Sequence, residues 1–133
     1  MIDLPIPSEL KDICWEYVQN NNIGNRFDFN GSTEQQYLGL LGENMVRKYY
    51  GMPYSFSNGF DGGYDITLNG YKIDVKTMGR MVNPKPHYAN NFVAYQKELD
   101  CDILYFTSVN KKTSTIILCG WIWKSDFILE ATY

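Results

Sequence analysis

The dipeptide Asn69-Gly70 lies between two runs of alternating polarity, Asp65 to Leu68 and Tyr71 to Lys76, and dictates how that stretch can pair. Asn-Gly accepts the two positive φ angles of a type I′ turn at little cost, so the spacing predicts a β-hairpin with a two-residue loop. The register follows. Leu68 falls opposite Tyr71, Thr67 opposite Lys72, Ile66 opposite Ile73 and Asp65 opposite Asp74. Because side chains alternate faces along a strand, Asp65, Thr67, Lys72, Asp74 and Lys76 share one face, and Ile66, Leu68, Tyr71, Ile73 and Val75 share the other. The second set reads as core; the first carries chemistry.

Two aspartates directly opposite each other hold their β-carbons about 4.5–5.5 Å apart and repel. A cation between them relieves that repulsion, and oxygen-only carboxylate ligands suit a hard divalent ion such as Mg2+ or Mn2+, which keeps several of its waters. Lys76, two residues beyond Asp74, points to the same side and reaches such an ion's water. The plainer alternative is a solvated charged face on which Asp74 pairs with Lys72 or Lys76.

A chain of 133 residues suits one domain spanning 1–133. With 44% hydrophobic and 20% charged residues it has the make-up of a folded globular protein. The net charge of −3 and pI near 5.0 exclude nucleic-acid binding by bulk electrostatics, so any such contact has to be local. Lys72, Lys76, Arg80, Lys85 and Lys97 make the neighbourhood of the hairpin basic. Arg80, Lys85 and Lys72 are therefore the candidate nucleic-acid contacts. Three cysteines without a CxxC pair, and a single histidine, His87, suggest neither a zinc site nor a disulfide framework. No membrane span and no signal-peptide profile is visible, and a soluble, cytoplasmic protein is expected.

Helical spacing of Leu10, Ile13, Cys14 and Val18 predicts a first helix over residues 8–20. A second helix runs from the capping-box pattern at Ser32 and Gln35 to Tyr50, with Tyr37, Leu40, Leu41, Met45 and Val46 on one stripe and Gly51 as the stop. Glu43 lies within it, either as an i, i+4 partner of Arg47 or as a third carboxylate delivered to the hairpin. Asp61, before Gly62-Gly63, is a supporting or turn-forming acid. An irregular stretch is expected after Lys76, then a short segment containing Gln96, strands over 102–109 and 115–123, and a short helix near 125–130. Trp121 and Trp123 read as packing residues.

In this order of elements the chain resembles the PD-(D/E)XK nuclease superfamily, the restriction-endonuclease-like fold. The resemblance implies an α/β (α+β) domain with a central mixed four- to five-stranded sheet flanked by helices. By that resemblance Asp65 and Asp74 are metal ligands, with the Val75 carbonyl an additional one. Lys76 orients or activates the attacking water, and Glu43 is the helix acid that serves a second ion or its water. Gln96 matches a supporting glutamine found in some relatives. Tyr64 stands where the family name has proline. The implied activity is Mg2+- or Mn2+-dependent hydrolysis of DNA phosphodiester bonds, an endonuclease, with a homodimer suggested by the need to cut two strands. A non-cleaving nucleic-acid-binding module of the same fold and a structural protein with incidental acids are the competing readings.

Overall fold

The computed structural model describes residues 2–21, 33–56, 66–81 and 101–126. Among them the elements run β1 (Ile2–Pro5), α1 (Ser8–Asn21), α2 (Thr33–Tyr49), β2 (Ile66–Leu68), β3 (Tyr71–Arg80), β4 (Ile103–Asn110) and β5 (Thr115–Trp123). The strands form one sheet in the order β1-β5-β4-β3-β2. β3 and β4 are parallel and every other pair is antiparallel, so the fold is α+β with a mixed five-stranded sheet.

Alternation separates the two sides of this sheet. Ile73 and Val75 of β3, Tyr105 and Val109 of β4, and Ile116 and Leu118 of β5 join Leu10 and Cys14 of α1 and Leu38, Leu41, Met45 and Val46 of α2 in one buried cluster. Both described helices therefore pack on that side. The opposite side carries Lys72, Asp74, Lys76, Met78 and Arg80 of β3 beside Leu104, Phe106, Ser108 and Asn110 of β4, in the register Asp74↔Leu104, Lys76↔Phe106. Leu104 and Phe106 are buried as well, yet stand outside the helix-side cluster.

Helix α2 approaches β3 closely because glycines meet it there. A β-carbon on Gly42 would collide with Thr77 Oγ1, and one on Gly79 would stand 2.8 Å from Leu38 Cδ1. The helix ends in a Schellman motif at Gly51 (φ 74°), with Met52 N–H donating to Arg47 O at 2.8 Å and Gly51 N–H to Lys48 O at 3.1 Å. Asn44, fully buried, ties the following chain back to the helix. Its Nδ2 donates to Leu40 O and Ser55 O, and its Oδ1 accepts from Ser55 N–H at 2.8 Å.

Two expectations need correction, and one strand had no counterpart in the sequence reading. Residues 77–80 are not irregular: β3 continues through them, paired with β4 as far as Arg80↔Asn110, because a parallel partner supplies the ladder that a hairpin alone lacks. Ile2–Pro5 form an edge strand paired only with β5, a place that tolerates the missing N–H of Pro5. Trp121 and Trp123 are half-exposed, at 52% and 38%, and not core. Their orientation comes from a bulge: Phe106 faces Gly120 while Thr107 faces Leu118, so Cys119 is the extra residue. Helical structure is described at Lys124 to Asp126; the segment with Gln96 and the rest of the expected last helix lie outside the described residues. No described helix is long and apolar enough to cross a membrane.

Candidate catalytic centre on the hairpin

Asn69 (φ 53°) and Gly70 (φ 83°) adopt the positive angles that the turn requires. The pairs Leu68↔Tyr71, Thr67↔Lys72 and Ile66↔Ile73 follow the predicted register without a bulge. Asp65, the next residue of the predicted ladder, lies outside the described residues, as do Asp61, Lys85 and Gln96.

β2 has three residues and β3 has ten, so the described β2 partner stops at Ile73 while β3 runs on. Lys72 and Arg80 accept main-chain hydrogen bonds from Asp102 N–H and Lys111 N–H on the β4 side. By alternation the Val75 carbonyl is turned to the other side, toward the end of β2.

Asp74 is buried at 7% exposure, and its Oδ2 stands 2.7 Å from Lys76 Nζ. The contact is ionic: Asp74 Oδ2 has no aligned hydrogen-bond donor among the described residues. A buried carboxylate oxygen in that position fits a hard cation, which needs no directional donor. No three Asp, Glu, His or Cys side chains among the described residues are grouped to hold a metal ion.

The parallel crossover brings in neighbours that no spacing in the sequence announces. Asp102, just before β4, accepts from Lys72 N–H through Oδ2 at 2.9 Å, and its own N–H donates to Lys72 O at 2.7 Å. Cys101 lies close enough to feel the same charges. Burial pushes its thiol up to about 11, the Asp74 carboxylate adds to this, and Lys124 and Lys76 oppose it. Two lysines and two acids thus surround the start of β4. Arg80 lies at the far end of the same face, its Nη2 3.4 Å from Met78 Sδ.

Glu43 is placed elsewhere. Its Oε2 accepts from Arg47 Nε at 3.0 Å, with both side chains largely buried. It faces α1: its charge adds to the burial that pushes the Cys14 thiol up to about 12. Since α2 packs on the Val75 side of β3, the sheet stands between Glu43 and the Asp74–Lys76 pair. The structure brings Asp74, Lys76, Lys72 and the Val75 peptide together and leaves Glu43 on the other side.

Comparisons with protein-family models, with curated proteins and with solved structures find no match to this chain.

Proposed function

We propose that this chain is a divalent-metal-dependent nuclease hydrolysing phosphodiester bonds of DNA, with a centre on the β2–β3 hairpin similar to that of PD-(D/E)XK enzymes. The observation that carries the reading is the buried Asp74 carboxylate 2.7 Å from Lys76 Nζ, on a hairpin whose described pairs keep the register from which the sequence reading expects Asp65 opposite Asp74. A hard cation held by the Asp65 and Asp74 carboxylates and the Val75 carbonyl would supply Lewis-acid polarisation of the scissile phosphate and of an attacking water. Lys76 then has two roles. Its ammonium, 2.7 Å from Oδ2, holds the Asp74 carboxylate aimed before substrate arrives, and it stabilises the negative charge that builds on the phosphoryl oxygens. Lys72 and Arg80, spaced along the same face, position the backbone through phosphate contacts. Glu43, on the helix side of the sheet and paired with Arg47, is left out of the proposed donor set, which is the pair of aspartates with one main-chain oxygen.

The test is nicking of plasmid DNA with Mg2+ or Mn2+ and its loss in EDTA. Asp74→Ala and Lys76→Ala should abolish it while the circular dichroism spectrum stays that of the wild type. Cleavage persisting in both variants rejects the assignment.

A non-cleaving nucleic-acid-binding module is the second reading, favoured by the direct Asp74–Lys76 pair, which offsets the carboxylate's charge without a metal. It predicts salt-sensitive DNA binding through Lys72 and Arg80 and no cleavage of duplex, branched or single-stranded substrates.

A further inference from the structure

On the helix side of the sheet, at the end where α2 stops, lies a cavity of about 260 Å3 whose lining combines Tyr50, Tyr71, Tyr105, Trp121 and Trp123 with three aliphatic side chains and Asn69. We propose that this pocket receives one unpaired nucleobase of a single-stranded nucleic acid. The proposal goes beyond the nuclease reading: the pocket is on the face opposite Asp74 and Lys76 and needs no metal.

The walls are built and fixed. Trp121 and Trp123 meet edge to face at 5.4 Å and 89°, and Trp123 meets Tyr71 at 5.2 Å and 70°, so each ring braces the next. Tyr50 Oη and Tyr105 Oη are 3.0 Å apart, which links the chain after α2 to β4. Despite this bracing Trp121, Trp123 and Tyr71 remain 52%, 38% and 46% exposed. Aromatic surface of that extent, contiguous and concave, marks a binding site more than a packing remnant.

The chemistry of the lining selects the occupant. None of its described residues carries a charge, so it offers a phosphate no cation and a cationic ligand no carboxylate. Perpendicular rings present a π face to a flat ligand and an edge to its rim, the contact that bases make on aromatic platforms whatever their sequence. The tyrosine hydroxyls and the Asn69 amide are polar groups that suit the hydrogen-bonding edge of a base and are of no use to a saturated aliphatic group. The cavity holds about one such ring system. In a duplex the base faces are stacked and closed off, so the pocket discriminates for single strands.

The test is a titration of tryptophan fluorescence in EDTA, with a short oligothymidylate, its oligouridylate counterpart, a duplex of the same length and tetramethylammonium chloride as probes. Trp15, away from the pocket on α1, gives a constant background. Saturable quenching by the single strands, DNA or RNA, is expected, with the duplex weaker. Trp123→Ala should weaken single-strand affinity about tenfold or more and Trp123→Phe should restore much of it, as loss and return of one stacking contact require. Because EDTA removes any divalent ion, the titration reads the pocket without the metal-dependent chemistry of the hairpin, which separates failure of the pocket from failure of the hairpin site. Equal binding of duplex and single strand, unchanged affinity in a Trp123→Ala protein with wild-type melting, or saturation by tetramethylammonium alone would each overturn the proposal.

Discussion

Lys76 Nζ stands 2.7 Å from Asp74 Oδ2, across the one-residue gap that puts both side chains on the same face of β3. The pair is largely buried, at 18% and 11% side-chain exposure. Lys76→Met strips the ammonium from a carboxylate that has little water to replace it. A loss of about 1–3 kcal/mol is expected in metal-free denaturant melts. If the same carboxylate takes a cation, Mg2+ should raise the melting temperature of Lys76→Met more than that of the wild type, and should not raise that of Asp74→Asn.

Glu43→Gln leaves the Asp74 side of the sheet untouched. Its effect on Mg2+-dependent nicking should stay within about twofold, the size of an indirect perturbation and not of a lost ligand. A loss of activity as large as that of Asp74→Ala would show that the sheet does not separate the two acids.

Gly42→Ala raises intrinsic helix propensity by about 1 kcal/mol, yet it should destabilise the protein, because overpacking at a tight contact costs about 1–3 kcal/mol. The new methyl meets Thr77 Oγ1, which also accepts from Thr107 Oγ1 at 2.8 Å. Adding Thr77→Ala should recover part of the loss, and chemical denaturation of the single and double variants measures it.

Asn44→Ala deprives Ser55 of both its side-chain acceptor and its side-chain donor partner. A loss of about 2–3 kcal/mol is expected. Faster proteolysis near residues 52–56 should accompany it, since this segment follows α2 and is pinned to it by that amide.

Alkaline pH should destabilise the fold through Cys14. Its thiol rises from an ordinary 9.0 to about 12, chiefly by burial, so the unfolded chain ionises first. The stabilising contribution is complete below pH 9, and it falls away as pH climbs toward 12. Thermal melts from about pH 8 to about pH 11 should fall less steeply for Cys14→Ala than for the wild type.

The hairpin was legible because Asn69-Gly70 sets strand register by local chemistry alone, and nothing distant competes with it. The two helices and β4 and β5 were legible for the same kind of reason, as strong periodic patterns ending in turn residues such as Gly51 and Asn110. What escaped depends on partners far apart in sequence. Thr77 to Arg80 become strand through β4, and Asp102 reaches Lys72 by the same pairing. Which side of the sheet α2 covers is decided by the fit of Gly42 and Gly79 against their neighbours. Spacing within α2 therefore placed Glu43 on a helix but not on a side of the sheet.

The bulge at Cys119 decides what β5 offers to its surroundings. Up to Leu118 the strand's even-numbered residues look toward the helices, and beyond Gly120 its odd-numbered ones do. Were Cys119 paired opposite Phe106 instead of bulged out, Ile116 and Leu118 would keep their places and Trp121 and Trp123 would turn to the reverse of the sheet. The looping-out of one residue, with no change of composition, thus settles whether this surface is aromatic or aliphatic.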